Sequence, residues 1–158
     1  MKDKLLSKQG WVILLICIIS FFINNRVVVP DIMEARNMVT AREMVHDGNW
    51  LVPTMNGDLR LEKPPLPTWL TAVAEMISPD NLALQRAMAG FAAILLVAFF
   101  YLTAVQVMRN KRYAFISTIL LCTCYNIILM GRTASWDIYC HAFMTVSYTH
   151  LTLPTTSR

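Results

Sequence analysis

The chain has 158 residues, of which 56% are apolar and only 15% charged, and it carries a net charge of +4. A soluble domain of this size carries about 25% charged residues, so the composition sets aside an ordinary soluble enzyme and points to a membrane protein. The basic residues are not gathered on a soluble face, which argues against a nucleic-acid partner: Lys2, Lys4 and Lys8 precede the first apolar run, and Arg109, Lys111 and Arg112 sit in a short "RNKRY" turn.

The first apolar run, Trp11 to Ile23, is short for a helix that needs roughly 20 residues to cross the hydrocarbon layer. It predicts a span over about residues 10–29 that borrows "NNRVVV", with Arg26 snorkelling to the headgroups. No small-x-small site follows the run, so an uncleaved span is expected rather than a signal peptide.

A long loop, residues 30–85, comes next, and a loop of that length should carry elements of its own. A helix is predicted from Met33 to Asp47, with Asp31 as N-cap, Glu34 three residues on, Gly48 as terminator, and Met38, Ala41, Met44 and Val45 on one face. Asn56-Gly57 between short apolar-flanked segments predicts a tight hairpin. "PPLPTWLTAVAEMIS" then predicts a second helix, with Pro67 in the first turn and an apolar stripe of Leu70, Val73, Ala74 and Ile77. The first has one apolar face opposite a charged one and the second, with an amphipathic length of about ten residues, is too short to span, so both are expected to lie at the membrane interface. Consecutive prolines hold a chain extended, so "KPPLP" reads as a stiff strut that fixes the direction of Lys63. Two readings of that lysine stay open: a pairing with Glu62 or a lipid phosphate, and a functional cation.

Further spans are predicted over about 86–108 and 113–131, and a fourth begins at 138–146. At 1.5 Å per residue that last stretch covers only about 14 Å. The closing "SYTHLTLPTTSR", residues 147–158, has no helical period and reads as a tail foreign to the fold. The chain is therefore expected to be the opening part of a longer protein. Between Asn25 and Gln85 stand five basic and eight acidic residues, so the positive-inside bias predicts a cytoplasmic N-terminus and "RNKRY" turn and a periplasmic loop 30–85. Cys17, Cys122, Cys124 and Cys140 read as buried small hydrophobes, and His46 and His141 lack ligand spacing; no metal and no cofactor are called for.

The loop sequence "MEARNMVTAREMVHDGNWLVPTMNGDLRLEKPPLPTWL", with "EKPPL" followed by a tryptophan, resembles the first periplasmic loop of bacterial members of the protein O-mannosyltransferase and aminoarabinose transferase family. "QRAMAG" is similar to the family's approach to its second span and "GRTASWD" to its second outer loop. The resemblance implies an all-α polytopic membrane protein of the GT-C glycosyltransferase architecture. This chain would be its N-terminal part, with the two interfacial amphipathic helices and the short β-hairpin in the first periplasmic loop. It implies a multi-pass enzyme of the bacterial inner membrane that moves a sugar from a polyprenyl-phosphate donor to a lipid A, protein or glycan acceptor. Its partners would be those substrates and membrane lipids, with no nucleotide bound.

The site residues follow from the same resemblance. Transfer off a phosphate leaves negative charge on the lipid phosphate, which a preset cation stabilises. Lys63 takes that role, Arg36 and Arg132 are possible helpers, and Glu62 either orients Lys63 or binds a divalent cation. A carboxylate is needed to accept the acceptor's proton. Many family members have an aspartate directly before the loop's glutamate, and Met33 stands there in this chain. Asp31, Glu34 and Asp137 are the remaining candidates, each with a plain helix-end alternative for Asp31 and Asp137. A transporter or membrane scaffold is the competing class, and it would be expected to carry its polar residues in mid-span.

Overall fold

The first apolar run becomes helix α1, Lys8–Phe22, in a computed structural model that describes residues 8–152. Lys2 and Lys4 lie outside the described residues. The helix stops well short of the expected residue 29. Asn24 turns left-handed, with φ 57°, a conformation that asparagine tolerates better than most residues, and the Val27 amide closes a turn on the Asn24 carbonyl at 3.2 Å. Arg26, expected to reach for headgroups, donates to Asn81 Oδ1 at 3.1 Å.

Helix α2, Ile32–Asp47, has the expected ends: the Asp31 carboxylate accepts from the Ile32 amide, and Gly48 caps the other end at φ 74°. Its buried face shares Ala41 and Met44 with the expected one and is otherwise polar. Glu34, Asn37, Thr40, Ala41 and Met44 are buried, while Met38 and Val45 are only half-buried. The reason is a polar seam. Asn37 donates to Thr71 Oγ1 at 3.1 Å and to the Ala134 carbonyl at 2.8 Å, and Thr68 donates to Asn37 Oδ1 at 2.8 Å. Hydrogen-bonded polar groups are thereby buried without penalty.

The hairpin forms as predicted. Strands β1, Thr54–Met55, and β2, Asp58–Leu59, pair antiparallel with Thr54 opposite Leu59. Asn56 and Gly57 both take positive φ, 56° and 83°, which fits the two-residue turn that matches strand twist. Nothing crowds the Gly57 Cα, so a side chain there meets only backbone strain. Gly57→Val is expected to lower stability by about 1–2 kcal/mol, and Gly57→Asn by less, in denaturant or thermal unfolding of the purified protein.

Helix α3, Pro65–Ile77, begins earlier than expected. Only its N-cap, Pro64, remains extended at φ −60° and ψ 138°; Pro65 and Pro67 enter the first turn, where a missing N–H costs nothing. The strut is thus a single proline deep. The expected apolar stripe is split: Ala74 is buried and Leu70 packs against the core, but Val73 and Ile77 are turned out. Pro67, Thr68, Thr71, Ala72, Ala74 and Glu75 face inward, while Val73 is 43% and Ile77 67% exposed. Small and hydroxyl side chains let α3 lie close against α2, Trp69 and Leu70 pack partly buried against the core, and Val73 and Ile77 are left outside.

Helix α4, Leu82–Met108, has Asn81 as N-cap accepting from Leu84. Its 27 residues are long and apolar enough to cross a membrane. It is the central element, packed by α1 and α3 and by the next three helices: α5, Lys111–Thr123; α6, Tyr125–Gly131; and α7, Asp137–Thr152. The expected third span is not one straight helix, for α5 and α6 bend by 63° at Cys124. Cys124 is therefore exposed, as is Cys140, whereas Cys17 and Cys122 are buried in the core as expected. Helix α7 runs on past Val146 to Thr152; the later residues lie outside the described ones. Around α4 the core joins Ile13, Cys17 and Phe21 of α1 to Ala89, Ala93 and Val97, with Ile138, Tyr139 and Ala142 of α7. Close approach is built in at Gly131, where a Cβ would stand 2.6 Å from Phe21 Cδ1 and 2.9 Å from Ala93 Cβ.

Candidate functional site

Lys63 precedes the extended Pro64, and its ammonium stands 5.6 Å from the centre of the Trp136 ring. The Arg60 guanidinium is over the same ring at 5.1 Å. Cations are drawn to the negative face of an indole, so one tryptophan organises two positive charges. Among the described residues, Lys63 makes no ion pair with Glu62 or any other carboxylate.

Arg60 is almost fully buried, 6% exposed. Its Nη1 donates to the Arg36 carbonyl at 2.7 Å and to Thr40 Oγ1 at 2.8 Å. Among the described residues its Nη2 has no acceptor, and neither does Trp136 Nε1. Burial draws the guanidinium below its ordinary pKa, against the pull of the Glu62 carboxylate and together with the charge of Arg36. An arginine stays charged under such shifts, so the feature that matters is a buried cation beside two others. A small recess of about 10 Å³ is lined by Thr40, Pro53, Arg60, Lys63, Thr68 and Trp136.

Trp136 lies in the turn between α6 and α7, and that turn is tied to α2. The Glu34 carboxylate, 1% exposed, accepts from the Ala134 amide at 2.9 Å and from Arg86 Nε and Nη2, both at 2.7 Å. Arg86 also donates to the carbonyls of Asn25 and Val28. One buried ion pair therefore joins α2, α4, the turn after α1 and the turn that carries Trp136. Oε1 takes two of these donations and Oε2 one, and the carboxylate is buried against Arg86, so it is held as a structural ion pair away from solvent.

The other expected site residues scatter. Asp31 is exposed and caps α2. The Arg36 side chain is exposed, though its carbonyl holds Arg60. Glu62 is exposed beside Arg60. Arg132 donates to the Ser20 and Ile23 carbonyls at 3.2 and 2.6 Å, at the end of α1, a favourable place for a cation against a helix C-terminus. Asp137 is exposed in the first turn of α7, next to Trp136. Arg60 and Trp136 were not among the expected residues; the signal available was a basic residue between two leucines just before "EKPPL" and an aromatic directly before Asp137. A second cavity of about 450 Å³, lined by Leu96, Phe100, Leu121 and Met144 among others, is apolar and away from this chemistry.

The hairpin beneath Arg60 is held by Glu43, whose carboxylate accepts from Thr54 Oγ1 at 2.7 Å and from the Asn56 and Gly57 amides. Burial pushes its pKa up, but these three donations outweigh it and hold the carboxyl below its ordinary value. A lowered carboxylate pKa adds stability that is present above the unfolded-state value and is lost as pH falls through the folded one. Amide-exchange protection at Asn56 and Gly57 is thus expected to vanish on acidification below the ordinary carboxylate range. In Glu43→Gln the protection should be weak and independent of pH.

Residues 10–155 match the family model for dolichyl-phosphate-mannose-protein mannosyltransferases. The chain belongs to that family. Among curated relatives, an undecaprenyl phosphate-α-4-amino-4-deoxy-L-arabinose arabinosyl transferase of Shewanella sediminis is 29% identical over 120 residues, covering 76% of this chain and 21% of that protein. The enzyme of the same name from Pseudomonas savastanoi is 34% identical over 92 residues, covering 58% of the chain and 17% of that protein. The chain thus spans about a fifth of the length of these relatives. A crystal structure of ArnT from Cupriavidus metallidurans bound to undecaprenyl phosphate superposes with a TM-score of 0.71 at 21% identity, over 88% of this chain and 26% of that one. The likeness shows a shared fold over that part of the chain.

Proposed function

We propose that the protein transfers a sugar from a polyprenyl-phosphate donor to an acceptor oxygen on lipid A, a protein or a glycan. The observation that carries this reading is Lys63, a cation with no carboxylate partner among the described residues, set with Arg60 over Trp136 in a family of lipid-phosphate-sugar transferases. In the step, the acceptor oxygen bonds to the sugar's anomeric carbon as the bond to the phosphate oxygen breaks. The electron pair leaves on the lipid phosphate, where Lys63 meets the growing charge, with Arg36 nearby. The acceptor's proton goes to a carboxylate. We assign it to Asp137, which is exposed and adjoins Trp136, rather than to Glu34, which is buried and ion-paired with Arg86, or to Asp31, which caps α2. Glu62 is assigned to tuning the cation group and Arg132 to holding α1. The test is transfer from an undecaprenyl-phosphate sugar by the full-length protein in lipid; absence of transfer from every such donor would overturn the reading.

The same reading sets the membrane topology. Helix α4 and the bent α5–α6 pair span an inner membrane, the exposed apolar side of α3 faces lipid at the interface, and residues 30–85 lie on the periplasmic side. Cysteines introduced at Asp58 and Asn110 distinguish the sides: in intact cells an impermeant maleimide is expected to label the first and spare the second. The opposite pattern would invert the topology.

A further inference from the structure

Cys17 of α1 and Cys122 of α5 meet inside the apolar core, with their sulfurs 3.9 Å apart. Both are buried, 1% and 0% exposed, on helices that pack against each other. A thiol is a weak donor and a weak acceptor, so one S–H···S contact adds little to that packing. The pair differs from an ordinary buried cysteine in two ways. Each sulfur has a second sulfur as its neighbour, and the contact joins positions 105 residues apart in the chain. Cys122 also stands one residue before the end of α5 at Thr123, where the chain bends by 63°. Helix ends open locally at lower cost than helix middles, so a small solute can reach this thiol from the bend.

We propose that Cys17 and Cys122 are a redox pair, closed to a disulfide by hydrogen peroxide, which braces α1 to α5 beside the bend. The sulfurs close from 3.9 Å to about 2.05 Å, through side-chain rotation and a small approach of the helices. One thiolate attacks the peroxide: an S–O bond forms, the O–O bond breaks, and hydroxide leaves, taking up the thiol's proton as water. The second thiolate then attacks the sulfur of this sulfenic acid; the S–S bond forms, the S–O bond breaks, and a second water leaves. Two electrons pass from the sulfurs to the peroxide. Burial selects the product. A disulfide is uncharged and suits an apolar core, whereas a metal ion held by two thiolates would leave net charge there and a stalled sulfenic acid an unpaired polar group. Burial also selects the oxidant, since a quinone ring or a protein disulfide is too large for sulfurs so enclosed. This goes beyond sugar transfer and does not depend on it.

The experiment treats the full-length protein in nanodiscs with a maleimide, which caps the exposed Cys124 and Cys140, and then with hydrogen peroxide. Proteolysis without reductant, followed by mass spectrometry, reads the state of each cysteine. A peptide joining Cys17 to Cys122 is expected, two hydrogens lighter than the sum of its parts and split by dithiothreitol. The oxidised protein is expected to melt several degrees higher than the untreated one, because a link between positions 105 residues apart removes much freedom from the unfolded chain. Dithiothreitol should return the melting temperature to its starting value. In Cys17→Ala and in Cys122→Ala, either of which serves if the other does not fold, peroxide is expected to leave the melting temperature unchanged. Cys17 and Cys122 that stay free thiols at peroxide levels which oxidise uncapped Cys124 and Cys140 would overturn the pair, as would either of them joined to a different cysteine. A Cys17–Cys122 link that forms without raising the melting temperature would overturn the brace.

Discussion

Lys63→Ala is expected to slow sugar transfer by about 10² to 10³, the usual loss when a preset charge aimed at the transition state is removed. The effect should fall on turnover more than on donor affinity, because the charge on the phosphate grows only as the glycosidic bond breaks. Lys63→Arg should recover part of the rate. The guanidinium keeps the charge and the attraction to Trp136 but brings a planar, wider donor set to the end of a one-proline spacer. Stability should change little, because the lysine is exposed and makes no ion pair among the described residues. Melting curves matched to wild type together with undiminished turnover in Lys63→Ala would remove Lys63 from the chemistry.

The second large effect is expected at Arg86. Arg86→Ala leaves the Glu34 carboxylate buried without its partner, and breaking one side of such a pair costs about 3–5 kcal/mol. The Asn25 and Val28 carbonyls and the Ala134 turn lose their common tie at the same moment. Arg86→Lys should be intermediate, since one ammonium cannot serve two carboxylate oxygens and two carbonyls in a fork. The double variant Glu34→Leu with Arg86→Met tests what the pair is for. Replacing a buried ion pair with apolar groups of similar volume restores much of the stability, so its melting temperature should approach wild type. Its transfer activity should not, because the Ala134 amide no longer fixes the turn that presents Trp136. Full activity in the stable double variant would show that the pair only holds the fold.

Several elements were legible because their signals are local. Asn56-Gly57 announces its turn through backbone preference alone, and Asp31 and Gly48 mark the ends of α2 by chemistry contained within a few residues. The buried faces were not legible, because they depend on which partner a helix meets. In α3 the apolar stripe is divided, with Leu70 and Ala74 turned inward and Val73 and Ile77 outside, where the rule for a helix on a water-soluble core would bury all four; a lipid environment makes either face acceptable to bulky side chains. The break at Cys124 carries no proline or glycine, so hydropathy reads through it. At the site, Lys63 could be found from "EKPPL" and the family resemblance. Arg60 could not, for its meaning comes from Trp136, which is distant in sequence and close only once the Glu34–Arg86 pair has tied the α6–α7 turn to α2.

The missing side chain at Gly131 also fixes how the two ends of this chain register with each other. Because Phe21 fills the space a Cβ would occupy, α6 sits in a notch on α1, and Arg132, the next residue, hooks the last carbonyls of that helix. From hook to Trp136 there are only four steps of backbone. The first helix is thereby a ruler for the cation group: a sideways slip of α1 is passed through Gly131 and Arg132 to the indole on which Arg60 and Lys63 rest, although α1 lends the site no side chain.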